Sequence, residues 1–233
     1  MKKTDIAEAW DGTARCDQCG IRDLVLFADL TEPDFHLIHL PIEERTLGPG
    51  EALYEAAEEG RALYTIRRGL VKLVQYLPDG SQRIVRLLKP GATAGLEVLV
   101  TDAYEHSAIV LNEAFVCRLP REVIVKLNTE TPRLYGQLMK RWHASVEQAD
   151  EWLTGLSTGK AQARLARLIL QLVEENGTFE LFKREDLGAI LGITTETASR
   201  SVSDMKRTGA ITQIAPNRFR CDVGRITDIA YSD

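Results

Sequence analysis

At 233 residues the chain is longer than one typical domain and short for three, which favours two modest domains joined by a connector. Its hydrophobic share of 44% and charged share of 27% are those of an ordinary globular chain; they exclude intrinsic disorder, and no apolar run approaches the ~20 residues of a membrane helix. The net charge of -5 hides an asymmetry: residues 1–158 carry 18 basic against 24 acidic side chains, and residues 159–233 carry 11 against 10. The C-terminal third is therefore not repelled by phosphate, although so small an excess does not of itself specify nucleic acid.

In chain order, Met1 to Gly12 lacks the apolar core of a signal peptide, so a cytoplasmic protein is expected, with four cysteines that are thiols or metal ligands rather than disulfides. Cys16-Asp-Gln-Cys19 places two thiolates within reach of one metal or cluster. Residues 27–126 run in short β-rich pieces punctuated by Gly48-Pro49-Gly50, Pro78-Asp79-Gly80 and Pro90-Gly91, the pattern of a small antiparallel roll. Leu63 to Tyr76 and Gln82 to Leu88 read as two strands joined by a tight turn, with Gly69 interrupting the first. The expected fold class is α+β: an extension over 1–26, the β-roll (cupin-like jelly roll) over 27–126, a long helix over 127–158 and a winged helix-turn-helix over 159–233.

Thr131-Pro132 suits a helix start. Beyond it Leu134, Leu138, Trp142, Ser145, Ala149, Trp152 and Leu156 recur at spacings of three and four, close to the coiled-coil period, and predict a dimer seam. A helix of ~25 residues at 1.5 Å each would outrun so small a roll, which favours a homodimer over packing on the chain's own domain. Ser157-Thr158-Gly159 breaks this helix, and Lys160 to Glu175 predicts another, with Leu165, Leu168, Ile169 and Leu172 on one face.

The most informative stretch runs from Arg184 to Gly209. A short helix should end at Gly192, and Thr194 or Thr195 can cap a second. On that second helix Ala198, Val202 and Met205 share one face, while Glu196, Ser199, Arg200 and Ser203 share the opposite one. Arg suits guanine O6 and N7, Glu suits cytosine N4 and Ser serves either, so Thr195, Glu196, Ser199 and Arg200 are candidate base-reading residues. Lys206 and Arg207 at the far end suit phosphate. Ala210 to Ile214, a Pro216-Asn217 turn and Arg218 to Asp222 form a candidate wing, whose Arg218 and Arg220 are placed to touch backbone phosphate.

With Leu63-Tyr-Thr-Ile-Arg-Arg-Gly69-Leu-Val-Lys-Leu73, then the long helix, then Leu191-Gly-Ile-Thr-Thr-Glu-Thr-Ala-Ser-Arg200, the chain resembles, over nearly its whole length, the family of the cyclic-AMP receptor protein and the fumarate and nitrate reduction regulator. The Glu196, Ser199 and Arg200 pattern is similar to the fumarate and nitrate branch. That resemblance implies a transcriptional regulator and not an enzyme, which binds double-stranded DNA at a two-fold site of TTGAT-like halves, with Arg200 on guanine and RNA polymerase as a further partner.

The same resemblance frames the signal. Where the cyclic-nucleotide branch places a phosphate-binding Arg, this chain reads Glu105-His106-Ser107-Ala108, so cyclic AMP is not expected as effector. Cys16, Cys19 and Cys117 match cysteines of the oxygen-sensing branch, which implies ligands of a [4Fe-4S] cluster, but Val25 stands where the fourth should be. Three readings stay open: a cluster completed by Asp17, Asp23 or Asp29, a thiol or disulfide switch, and a relic; zinc is a lesser alternative. Cys221 reads as wing packing. His106 and His143 are isolated histidines, for which haem ligation is not expected. The competing function is a small-molecule regulator that uses the roll interior. A redox enzyme built on Cys16 and Cys19 finds no supporting acid, base or nucleophile.

Overall fold

The computed structural model describes residues 26–231 except 36 and 39. Cys16, Asp17, Cys19, Asp23 and Val25 lie outside the described residues. The chain divides into two compact units, one made of the described residues up to Gln75 with Arg86–Glu147, the other of Tyr76–Val85 with the residues from Gln148 onward.

The short helix α1 (Glu32–Phe35) is followed by six strands, β1 (Glu43–Leu47), β2 (Ala52–Tyr54), β3 (Ala62–Tyr76), β4 (Gln82–Leu88), β5 (Thr93–Ala94) and β6 (Ser107–Pro120), all in the first unit except the last residue of β3 and the first four of β4. The sheet runs β1-β6-β3-β4, with β2 added to β6 and β5 to β3. Its spine is the antiparallel pair β3 and β6, in register at Leu63 opposite Leu119, Ile66 opposite Val116 and Val71 opposite Val110. These paired β-branched and leucine side chains are fully buried, so each cross-strand contact also contributes core, roughly 1.5–3 kcal/mol per side chain removed from water. The register shifts on both sides of Gly69, where the sequence predicts an interruption. At Pro78-Asp79-Gly80 the Asp79 carboxylate accepts from the Ser81 amide at 2.9 Å and hydroxyl at 2.6 Å, fixing the turn.

Helix α2 (Arg121–Glu130) closes the roll with Val123, Ile124 and Leu127 fully buried. Thr131 is extended, and α3 (Pro132–Glu151) starts at the predicted Thr-Pro step. Asp34 pins α1 to this start. Its carboxylate accepts from the Thr31 amide at 2.7 Å, the Thr31 hydroxyl at 2.8 Å, the Thr131 hydroxyl at 3.1 Å and Arg133 Nη2 at 2.8 Å.

The residues of the predicted dimer seam fall on two different stripes of the helix. Leu134 and Leu138 are buried within the chain's own first unit, and Trp152 and Leu156 within the second, beside α4 (Ala161–Leu172). The exposed apolar side chains of the same stretch are instead Tyr135, Met139, Val146 and Leu153. With half-buried Trp142 and exposed Ala149 they recur at four, three, four, three and four. The physical reason lies in the first two steps of the predicted seam. Each step of four advances about 40° around a helix of 3.6 residues per turn, so Leu134 and Leu138 swing off the stripe to which Trp142 and Ala149 belong.

In the second unit the helical path ends in a π turn, Trp152–Leu156, and Gly159 adopts φ +84° at the predicted break, whereas the compact units part between Glu147 and Gln148, inside α3. There follow α4, β7 (Thr178–Glu180), α5 (Arg184–Leu191), α6 (Thr195–Arg207), β8 (Ile211–Ala215), β9 (Arg218–Cys221) and α7 (Val223–Tyr231). Strands run β7-β9-β8, so the wing carries a third strand, and α7 lies against α4; both β7 and α7 go beyond the elements expected from sequence.

Candidate nucleic-acid interface and sensor region

Helix α5 ends at Gly192, whose left-handed φ of 64° and ψ of 40° stop the helix, and Thr194 caps α6 by accepting from the Thr197 amide at 3.2 Å. The turn is tight enough that a Cβ on Gly188 would sit 2.7 Å from the Ile193 carbonyl oxygen, which only glycine avoids. On α6, Ala198, Ser201, Val202 and Met205 are buried, and Thr195, Glu196, Ser199, Arg200 and Ser203 are exposed. The faces divide as the 3.6-residue period requires.

Arg200 donates to Glu196 Oε1 at 2.9 Å across one turn, with both side chains well exposed. Such a pair contributes at most a few tenths of a kcal/mol and is easily exchanged for another partner. Lys206 Nζ reaches Gln213 Oε1 on β8 at 3.0 Å, bringing the end of α6 to the wing. Arg218 is turned toward β7, 3.4 Å from the Thr178 hydroxyl and 3.7 Å from the Glu174 carboxylate, so a phosphate contact there has to compete with Glu174. Arg207 pairs with Asp204 at 3.3 Å, while Arg220 is exposed on β9. Cys221 is half-buried, its thiol 3.7 Å from the Gly177 carbonyl, and burial raises its pKa, as suits a packing residue.

In the first unit Cys117 is buried on β6, opposite Glu44 and Thr65. Arg67 Nη1 stands 4.0 Å from its sulfur, and the same guanidinium bonds Glu44 and lies over the Phe115 ring at 5.0 Å. Cys117 thus sits beside a guanidinium that is already paired with a carboxylate. No three His, Cys, Asp or Glu side chains converge among the described residues, and Cys16 and Cys19 lie outside these. Of the candidate fourth ligands, Asp29 is already engaged by Gln137 Nε2 and by Lys140 Nζ at 3.9 Å.

The roll interior gathers His106, Ser107, Glu97 and Tyr54, with the charge of Arg86 felt by both His106 and Tyr54. Where a phosphate-binding Arg is expected stands His106, whose pKa is lowered by burial and by the charge of Arg86, and whose Nδ1 has no partner among the described residues. The hydroxyl of Ser107 accepts from the Ala56 amide at 3.0 Å. Glu97, which follows Gly95 on a 3₁₀ turn (Leu96–Leu99), is buried with an orphaned Oε1. A carboxylate in low dielectric repels phosphate. Tyr54 stacks on Tyr104 with ring centroids 3.7 Å apart; its orphaned hydroxyl is pushed well above its ordinary pKa by burial and by the charge of Glu97. His143 is exposed on α3, 3.3 Å from Glu147.

Sequence reasoning missed the Tyr135, Met139, Val146 and Leu153 stripe, although its unbroken heptad spacing was there to find. It also missed Tyr54 and Glu97, whose convergence has no local signal. Arg164 and Arg167 on α4 look in sequence like surface charge, yet they donate to main-chain carbonyls.

Residues 44–129 match the cyclic nucleotide-binding domain, and residues 163–223 match the Crp-like helix-turn-helix domain. Among curated relatives, the chain is 29% identical to the fumarate and nitrate reduction regulatory protein of Vibrio cholerae over 194 residues, covering 79% of this chain and 78% of that one. Among solved structures it is similar to a CRP-family transcriptional regulator from Thermus thermophilus, 25% identical with a TM-score of 0.71 over 81% of this chain and 97% of that one. FixK2 from Bradyrhizobium japonicum shares the fold, with a TM-score of 0.74 at 22% identity, covering 83% of this chain and 100% of that chain.

Proposed function

From the premise that the chain belongs to the CRP/FNR family of transcriptional regulators, which are not enzymes, we propose that it binds a two-fold DNA site as a homodimer and reports oxygen, redox or nitric oxide status. The observation that carries the DNA reading is α6 itself: one face wholly buried, the other presenting Thr195, Glu196, Ser199 and Arg200 from the capped N-terminal end. Arg200 would leave Glu196 for guanine, Glu196 and Ser199 would read neighbouring bases, and Lys206 and Arg218 would hold phosphate. The dimer would form along Tyr135, Met139, Trp142, Val146, Ala149 and Leu153, an apolar stripe that no element of the chain's own fold covers among the described residues. RNA polymerase is the further partner, and its DNA target places the protein in the cytoplasm.

The sensor reading rests on Cys16, Cys19 and Cys117, the last with Arg67 Nη1 4.0 Å from its sulfur. A [4Fe-4S] cluster, when bound, supplies an oxygen-labile centre; without one, the same thiols form a disulfide switch. A second reading, a small uncharged or cationic ligand in the roll, is favoured by the buried, unpartnered Tyr54 Oη, Thr93 Oγ1, Glu97 Oε1 and His106 Nδ1, which together lack several hydrogen-bond partners among the described residues.

Binding to a TTGAT palindrome and to a scrambled duplex, followed by fluorescence anisotropy, tests the central reading. Arg200→Ala is expected to weaken palindrome binding by ~1–3 kcal/mol per half-site and to relax preference at the guanine. Equal loss on both duplexes would reduce Arg200 to a phosphate grip. Iron and acid-labile sulfide in anaerobically purified protein, and mass spectrometry of a denaturing extract, separate the cluster, thiol and ligand readings.

A further inference from the structure

The connector between the π turn and α4 is held by two side chains. Arg164 and Arg167 stand one turn apart on α4, both half-buried. Arg164 donates Nε to the Gly159 carbonyl at 2.9 Å and Nη1 to the Leu191 carbonyl at 2.9 Å. Arg167 donates Nε to the Ala230 carbonyl at 2.9 Å, and Nη1 to the carbonyls of Thr158 at 3.0 Å and of Gly155. Together they close on two carbonyls of the connector (Thr158 and Gly159), on Gly155 of the π turn, on the last residue of α5 and on the last turn of α7.

The carbonyls of Gly155, Leu191 and Ala230 lie in last turns, which leave them without intrahelical partners, and those of Thr158 and Gly159 lie between elements. Water would satisfy them at an exposed end. A guanidinium presents its donors in a rigid fork, so spanning two carbonyls also fixes the distance between the segments that own them. Gly159 fits the same arrangement: a Cβ there would lie 3.1 Å from Arg167 Nη2, in a left-handed conformation of φ +84°. The left-handed backbone favours glycine here, and a side chain would in addition crowd Arg167.

We propose that Arg164 and Arg167 are positioning residues for DNA recognition: as a two-arginine clasp they fix the connector to the helix-turn-helix, so that a shift of the connector reaches the turn that places α6. Arg164 is the critical member. Its single guanidinium joins Gly159 to Leu191, and Leu191 is followed at once by the Gly192 turn and the Thr194 cap of α6. Arg167 anchors the same connector to α7, which lies against α4 on the other side. The inference rests on the proposed DNA reading for its function, but on the main-chain geometry for its mechanics.

The test uses the full-length protein and two substitutions that keep the positive charge, Arg164→Lys and Arg167→Lys, since an ammonium cannot span two carbonyls as a fork does. Gly159→Ala is the third variant, leaving both arginines in place and crowding Arg167. Hydrogen exchange at amides 155–160 and 192–197 is measured without DNA, together with affinity for the palindrome and for a scrambled duplex across a salt series. Arg164→Lys is expected to speed exchange in both segments and to lower palindrome affinity about tenfold, with scrambled-duplex affinity and salt slope unchanged. Arg167→Lys and Gly159→Ala are expected to loosen 155–160 and to weaken the palindrome less. A parallel loss on both duplexes with a shallower salt slope would overturn the proposal, because it would make Arg164 a phosphate contact. Faster exchange at 155–160 with 192–197 unmoved would overturn it as well, since the connector would then not reach the turn. A wild-type protein that does not distinguish the duplexes would sink the DNA reading instead, and the exchange at 192–197 would still decide whether the clasp couples the two segments.

Discussion

Helices α3 and α6 are both amphipathic, and their surfaces differ in a way that says what each awaits. Helix α6 buries one apolar face and shows no large exposed hydrophobic side chain, so its outer face suits a polar, charged surface. Helix α3 buries Leu134, Gln137 and Leu138 and still exposes Tyr135, Met139 and Val146, a second apolar stripe that suits another apolar surface. Solvent tolerates scattered apolar side chains, but an aligned stripe at heptad spacing is the mark of a partner helix. The outer face of α6 thus matches the DNA proposed for it, and the exposed stripe of α3 matches the proposed second copy.

The sharpest way to break this contrast is to attack the two stripes of α3 separately. Leu134→Ala removes a fully buried side chain from the first unit and is expected to cost ~2–5 kcal/mol of unfolding free energy, read by denaturant melts, with the dimer retained at moderate dilution. Val146→Glu places a charge on the exposed stripe. It is expected to leave the fold intact while weakening the dimer about a hundredfold, roughly 3 kcal/mol, as read by analytical ultracentrifugation. If Leu134→Ala dissociates the dimer and Val146→Glu does not, the seam lies where the sequence first placed it, and the exposed stripe has another occupant.

The two helices also show what could be read in the sequence. On α6 the local signals agree: Gly192 stops one helix, a threonine starts the next, and a single apolar face leaves no choice about which side packs. On α3 two apolar stripes share one helix and Trp142 and Ala149 sit close to both, so periodicity shows that a seam exists without deciding which stripe forms it. The β-roll was legible from its turns, because glycine and proline carry their backbone requirements with them. Strand β7 was not, since three residues become a strand only by pairing with β9. The roll interior was half legible: the missing arginine at His106 could be read, but the unpaired Tyr54 and Glu97 could not, because burial arises from elements distant in sequence. Arg164 and Arg167 went unread for the same reason, as main-chain carbonyls leave no trace in composition.

The start of each helix gives the smaller effects. At the head of α3, burial acts to raise the pKa of Asp34, but hydrogen bonds from the Thr31 amide, Arg133 and the hydroxyls of Thr31 and Thr131 outweigh it and hold the carboxyl at about 2, below its ordinary 3.8. A carboxylate so depressed stabilises the fold above the pKa of the unfolded chain, and that stability is lost as pH falls from about 4 through 2. The contribution is of the order of 2 kcal/mol at neutral pH. Asp34→Asn should therefore lower stability at pH 7 by up to that amount and flatten the acid limb of a stability profile. An unchanged acid limb would mean that the four hydrogen bonds persist in the unfolded chain.

At the head of α6 the comparison narrows to adjacent threonines. Thr194 accepts from the Thr197 amide, whereas Thr195 is exposed at the first helical position. Thr194→Ala leaves an amide at the helix start without its acceptor and is expected to cost ~1 kcal/mol of stability. Thr195→Ala should cost within ~0.5 kcal/mol, as surface changes away from a cap do, yet weaken palindrome binding if this side chain faces DNA. Thermal melts and anisotropy on the same two variants read the two effects apart. A Thr195 variant that loses stability while Thr194→Ala does not would move the cap by one residue, leaving the outward face of α6 fixed by buried Ala198, Val202 and Met205.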